Sequence, residues 1–149
     1  MEQYLNDVKS ELKRADHLFY VSLKYTRTVD VIKSVIQRLL NAFDIGFSAI
    51  IDKSNGDDET EVPKQPRRRC MILREKFPED KELMSYVDLY LELRDIFQAK
   101  YGKREEYRRH VTLIAHVTPE KDVEVTIDSL QEYFEKTKRF AQFLAEKIL

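Results

Sequence analysis

The stretch EEYRRHVTLIAHVTPEK, residues 105–121, decides both the fold class and the candidate site, and it holds two of the chain's three histidines. It ends in Thr-Pro, which is a helix-start signal. At 100° per residue, Tyr107, Val111 and Ile114 cluster on one side of a helix, which predicts a core face. Arg109 and His116 fall on the opposite side, about 20° apart. We therefore predict a helix over 105–117 whose outward face carries Arg109 and His116.

Helical periodicity also dominates the rest of the chain. Apolar residues recur at three- and four-residue steps, which predicts helices near 2–26, 28–52, 78–101 and 119–148. Periodicity alone leaves open a single helix over residues 2–52. A helix of that length would be about 75 Å long, which favours a hairpin in which Thr28 caps the second helix.

Composition sets the fold class and the domain count. The 149 residues include only three Gly and four Pro, too few turn residues for a protein built of many short strands. We predict one all-α domain over residues 1–149, an antiparallel four- to five-helix bundle. The segment 53–65 is acidic and contains Asn-Gly, so it is predicted to be a flexible loop within that domain.

Charge and cysteine content exclude several classes of function. The net charge is −1, so any contact with nucleic acid must come from a local patch such as Arg67, Arg68 and Arg69. Cys70 is the only cysteine, and no His-Glu-x-x-His or cysteine pair is present, so neither a disulfide nor a metal site is expected. A charged N-terminus and the lack of a long apolar run predict a cytoplasmic protein without a membrane segment.

The segment RRHVTLIAHVTPEKDVEVTIDSLQEYFEKTKRF, residues 108–140, resembles the C-terminal half of HEPN-superfamily domains, with the resemblance extending over about residues 104–148. Those domains are small all-α bundles whose signature is an Arg, four to six residues, and then a His. Arg109, followed by His110 and then His116, fits that signature with six intervening residues. Arg104 and His110 form a competing pair with five intervening residues.

The resemblance implies metal-independent endoribonuclease activity, without a cofactor, in a cleft between two copies of the chain. His116 would move a proton at a ribose 2′-hydroxyl, and Arg109 would hold the phosphate. His110 would orient its neighbours or the substrate. Leu113, on the same outward face, would lie at the homodimer interface. The residues expected to contact the RNA are Arg104, Arg108, Arg67, Arg68 and Arg69.

The alternative is a protein without catalytic activity. In that interpretation the chain is a helical interaction module, either an adaptor or the toxin–antitoxin-like partner of a nucleotidyltransferase-type protein. An outward His on a basic helix is commonly just a solvated residue, and the run Arg67–Arg69 is commonly a solvated face.

Overall fold

The computed structural model describes residues 2–56 and 60–148. Its elements, in chain order, are α1 (Glu2–His17), a π-helical turn (Leu18–Ser22), α2 (Leu23–Tyr25), α3 (Val29–Asn55), α4 (Pro66–Lys76), α5 (Lys81–Gln98), β1 (Lys100–Arg104), β2 (Thr112–Thr118), β3 (Lys121–Val125), α6 (Ile127–Phe143) and a second π-helical turn (Leu144–Ile148). The prediction of an all-α bundle is therefore wrong. The protein is mixed α/β, with the other helices packed around α3 and a three-stranded antiparallel sheet packed beside them.

The hairpin predicted for the first fifty residues is confirmed. The chain turns back after Tyr25, and Thr28 caps α3 by accepting a hydrogen bond of 3.4 Å from the backbone N–H of Val31. α1 then packs along α3. A capped start and an antiparallel partner explain why the two apolar stripes belong to two helices rather than one.

α3 is the central helix of the fold and contacts α1, α4, α5 and α6. By length and composition it could cross a membrane, yet 61% of its most apolar 18-residue stretch is buried within the protein, as in a core helix. At Gly46 a side-chain Cβ would collide with the Phe140 ring of α6 and with Leu144. The glycine therefore permits the close approach of α6 to α3.

The middle helices differ from their predicted bounds. The basic segment after the acidic loop is a helix, α4, with Pro66 at its start. α5 begins later than the predicted position 78, because Asp80 is its N-cap and accepts 3.0 Å from the backbone N–H of Leu83. It ends at Gln98, and Gly102 lies within β1 instead of capping the helix.

The predicted helix over 105–117 is wrong, because those residues form a turn and most of β2. β2 pairs with β1 through Arg104↔Thr112 to Lys100↔His116, and with β3 through Leu113↔Val125 to Thr118↔Lys121. Pro119 lies in the two-residue turn between β2 and β3 rather than at the first position of a helix. Proline fits such a turn because its fixed φ suits the first central position.

Alternation along β2 separates a buried face from an open one. Leu113 and Ala115 are buried, and β2 packs against α5. Leu113 is only 1% exposed, so the residue that we expected at a homodimer interface belongs to the core. Thr112, Ile114 and His116 point to the opposite face, where exposure rises along the strand from the buried Thr112 to the exposed His116.

The final helix begins at Ile127, eight residues after the predicted start. Thr126 is its N-cap and forms a capping box with Ser129, in which each side chain accepts a hydrogen bond from the other residue's backbone N–H. The hydroxyl of Thr118, the predicted cap, instead accepts 3.3 Å from the backbone N–H of Glu120 in the strand turn.

The predicted flexible loop over 53–65 falls partly on residues 57–59, which lie outside the described residues. Residues 53–55 belong to α3. The carbonyls of Pro63 and Lys64 each accept a hydrogen bond of 3.3 Å from the Arg69 side chain. The flexibility of this segment stays a prediction.

Candidate anion-binding site

The turn between β1 and β2 folds back onto the loop that precedes α3. The backbone N–H of Tyr107 donates 2.7 Å to the carbonyl of Arg27, and Glu106 accepts 3.0 Å from the backbone N–H of Val29. Glu106 also pairs with Lys103 at 3.3 Å, and this contact raises the pKa of Lys103. Residues almost eighty positions apart are thereby held side by side.

Two residues of this turn have left-handed backbone conformations. Glu105 has φ 53° and Tyr107 has φ 65°, and both carry side chains that make this region unfavourable by about 1 kcal/mol each. The hydrogen bonds from the turn to the start of α3 stabilise it against that cost. Backbone strain held in place by tertiary contacts is common at binding sites, which supports a functional role for this turn.

A pocket of about 460 Å³ opens beside the turn, and we call it the arginine pocket. Its basic lining residues are Arg27, Arg104, Arg109 and His110. Its acidic lining residues are Glu105 and Asp128, and the remaining ones are Thr112, Thr126 and Ile127. The competing pair Arg104 and His110 thus lines the same pocket, together with Arg109.

The guanidinium groups of the arginine pocket are largely uncommitted. Within the described ranges, Arg27 and Arg109 make no ion pair with any carboxylate, and Arg104 pairs with Glu124 of β3. α6 also starts at the pocket, and the backbone N–H groups of Ile127 and Asp128, in its first turn, have no intrahelical acceptor. Guanidinium forks and unpaired backbone donors are the groups that bind phosphate and carboxylate.

The two most exposed aromatic side chains described in the structure lie next to the arginine pocket. Tyr107 is 77% exposed and hydrogen-bonds to Arg27 through its backbone, and Tyr25, 81% exposed, precedes Arg27 by two residues. We predicted Tyr107 on a core face, so that prediction is wrong. Exposed aromatic rings beside arginines are typical of sites at which nucleic-acid bases stack.

The structure does not bring His116 to Arg109. Arg109 lies in the turn, near Thr112 at the start of β2. His116 follows Thr112 by four residues along the strand, which separates the two by about 13 Å at the usual strand rise. His116 instead pairs with Asp122 of β3, with 2.8 Å between Nδ1 and the carboxylate oxygen. Its Nε2 faces Gly102, where an added Cβ would lie 3.7 Å away.

The other predicted RNA-contacting residues are dispersed. Arg69 is buried on α4 and bound to Asp44 at 2.7 Å, while Arg67 pairs with Asp95 and Arg68 is exposed. Arg69 therefore serves the core rather than an open surface. None of the three arginines lines the arginine pocket, so the proposed site does not include them. Arg108 is exposed in the same turn as Arg109.

Two wider grooves are poorer anion sites. The groove on α1, about 580 Å³, contains Lys13, Arg14, His17 and Arg38, but Glu11 pairs with both arginines at 3.2 Å. The groove on α6, about 640 Å³, is lined by three carboxylates and two basic residues. Both arginines of the α1 groove are already paired with a carboxylate, and carboxylates outnumber basic residues in the α6 groove. Arg27 and Arg109 make no described ion pair, although Glu105 and Asp128 also line their pocket, so the arginine pocket is the stronger candidate.

Sequence reasoning missed Arg27, Tyr25 and the exposure of Tyr107. Arg27 lies between two helices and meets the turn only through tertiary contacts, so no local pattern points to it. The β-branched residues after residue 110 were a signal for strands, but they do not identify the segment against which the preceding turn packs.

Among the described residues no group of three or more His, Cys, Asp or Glu side chains could hold a metal ion. The chain matches no protein-family model, and no similar curated protein or solved structure is found.

Proposed function

We propose that this protein binds single-stranded RNA, with a backbone phosphate in the arginine pocket and bases against Tyr107 and Tyr25. The observation that carries the proposal is the convergence of Arg27, Arg104 and Arg109 on one pocket beside two exposed tyrosines. Guanidinium groups bind phosphate as a fork, and each stacked base adds about 1–3 kcal/mol.

A single strand suits these features better than a duplex. The bases of a duplex are stacked on one another and offer no face to Tyr107 or Tyr25, whereas single-stranded bases do. The net charge of −1 also gives no overall positive field to attract a long nucleic acid. A local site that combines a few phosphate contacts with stacking agrees with that charge better than a long electrostatic track.

Fluorescence anisotropy with a short labelled RNA tests this function directly. With one phosphate held in the arginine pocket, the logarithm of the association constant should fall against the logarithm of salt concentration with a slope of about −0.7. A duplex of the same sequence should bind more weakly. Failure of the single strand to bind even at low salt would contradict the proposal, and the interaction module for a nucleotidyltransferase-type partner would then take its place.

Metal-independent cleavage of the bound RNA is a second candidate function, favoured by the His116–Asp122 pair. An Nδ1–H donated to Asp122 leaves Nε2 of a neutral His116 as a proton acceptor over Gly102. It would take the proton of a ribose 2′-hydroxyl as the 2′-oxygen attacks the adjacent phosphorus. The bond to the 5′-oxygen breaks, that oxygen takes a proton from water, and a 2′,3′-cyclic phosphate and a 5′-hydroxyl end result.

The two candidate functions predict different behaviour of matched histidine variants. His116→Ala should abolish cleavage in the presence of a metal chelator while RNA affinity is retained. His110→Ala should weaken binding, because His110 lines the arginine pocket. Intact RNA after prolonged incubation with the wild-type protein would exclude the ribonuclease and leave the binding function.

A further inference from the structure

The arginine pocket offers more donors than one internal phosphodiester can use. Arg27, Arg104 and Arg109 line it together with the backbone N–H groups at the start of α6. A phosphodiester presents two non-bridging oxygens, whereas a terminal phosphate monoester presents three oxygens and a charge of about −1.5 to −2. Because three guanidinium groups can each bind a different oxygen of the monoester, the donor set matches the monoester better.

The position of Tyr107 fits the nucleotide that carries such a phosphate. Its ring is largely exposed, while its backbone is fixed to Arg27, which lines the pocket. A phosphate held by Arg27 therefore has an aromatic surface nearby for the first base. Stacking on a tyrosine tolerates any base, so recognition would depend on the end of the strand and not on its sequence.

We propose that the arginine pocket recognises the phosphorylated end of a single-stranded RNA, with the terminal monoester bound by Arg27, Arg104 and Arg109 and the first base stacked on Tyr107. The proposal rests on the RNA-binding function above and names the ligand of that same site. It assigns Arg27, from the loop before α3, a direct contact with the ligand.

Matched oligonucleotides test the inference separately from the function on which it rests. Labelled eight-nucleotide RNAs of one sequence would carry a 5′-phosphate, a 3′-phosphate or hydroxyls at both ends. We expect one phosphorylated form to bind about tenfold tighter than the hydroxyl form, the gain from at least one further charge-assisted hydrogen bond. Inorganic phosphate should compete with that form more effectively than chloride does at equal ionic strength.

Substitutions inside and outside the pocket test which residues cause the preference for a phosphorylated end. Arg27→Ala should bring the affinity ratio between the phosphorylated and hydroxyl RNAs toward one, and Arg68→Ala, which removes an exposed arginine of α4, should leave the ratio unchanged. Arg27→Lys keeps the charge but loses the fork, so it should lower the ratio partially and also provides a folded variant if alanine destabilises the turn. Equal binding of all three RNAs by the wild-type protein would overturn the inference and leave RNA binding itself intact. Absence of binding by any of them would overturn both.

Discussion

The backbone N–H of Tyr107 donates a hydrogen bond of 2.7 Å to the carbonyl of Arg27. This bond joins the turn between β1 and β2 to the loop that leads into α3. It brings Tyr107, whose ring is largely exposed, next to Arg27, which lines the arginine pocket. The arginine pocket exists because this contact, together with the Glu106 bond to the start of α3, fixes the turn in a left-handed conformation.

Removing the Glu106 carboxylate should destabilise the fold and weaken binding together. Glu106→Ala deletes the side chain that accepts from Val29 at the start of α3, which should lower the free energy of unfolding by about 1 kcal/mol. Glu105→Ala is the matched control, since Glu105 is exposed in the same turn and has no described hydrogen bond through its side chain. Equal urea midpoints for the two variants would contradict the capping role.

The ring of Tyr107 should contribute to RNA affinity through stacking. Tyr107→Ala is expected to weaken binding of a short single-stranded RNA about tenfold, because one stacked base is lost. Tyr107→Phe retains the aromatic face and should bind within about twofold of the wild-type protein. Anisotropy titrations measure both, and an alanine variant with wild-type affinity would remove stacking at this position from the account.

The buried pair between Arg69 and Asp44 should matter for stability and not for binding. Arg69 also holds the carbonyls of Pro63 and Lys64, and Tyr90 donates 2.5 Å to the same carboxylate. Arg69→Ala should lower the free energy of unfolding by roughly 2–3 kcal/mol, less than the full cost of breaking a buried pair because Asp44 is partly exposed.

The exposed pair of Arg67 and Asp95 provides the control for that measurement. Arg67→Ala should cost less than about 1 kcal/mol, since solvent screens an exposed ion pair. Urea denaturation compares the two variants. Similar losses from both would mean that the Arg69 contacts are screened as well.

The Cys70 thiol should be unreactive in the folded protein. Burial raises its pKa from 9.0 to about 11, and nearby Arg74 and Arg69 lower it only in part. Since the folded pKa lies above the unfolded one, the stability linked to this thiol is present below pH about 9 and is lost as the pH rises toward 11. Labelling with a thiol reagent at pH 8 should be slow in buffer and fast in urea. Rapid labelling of the native protein would show that Cys70 is accessible.

The helices up to residue 98 were predictable because their stabilising pattern is local. The apolar stripes of α1 and α3 repeat with the helical period, and Thr28 is a favourable N-cap that the structure confirms. The predicted bounds 78–101 of the third helix were less accurate, since Asp80 caps α5 and the helix ends at Gln98.

The sheet was not predicted, because the spacing of apolar residues in a short segment can fit both the helical and the strand period. Val111 and Ile114 have helical spacing, yet Leu113 and Ala115 alternate with outward residues as a strand requires. The β-branched residues that follow each other through β2 and β3 favour strands, and Pro119 suits a turn. Giving this composition more weight than the spacing of three residues would have predicted the hairpin.

The site was predictable only in part. Arg104, Arg109 and His110 were singled out and line one pocket, because they flank the same turn. His116 lies on the same short segment, but extended strand geometry carries it about 13 Å beyond the pocket. Arg27 enters through contacts between segments far apart in sequence, and these depend on the packing of the whole fold.

Comparison of Arg109→Ala with Arg68→Ala tests the central claim most directly. Both substitutions remove one exposed arginine, so they change the net charge equally, but only Arg109 lines the arginine pocket. The account predicts that Arg109→Ala weakens binding of single-stranded RNA about tenfold, because one of the three guanidinium groups on the phosphate is lost, while Arg68→Ala changes affinity less than about twofold. Equal losses of affinity in the two variants, or wild-type binding by Arg109→Ala, would contradict it.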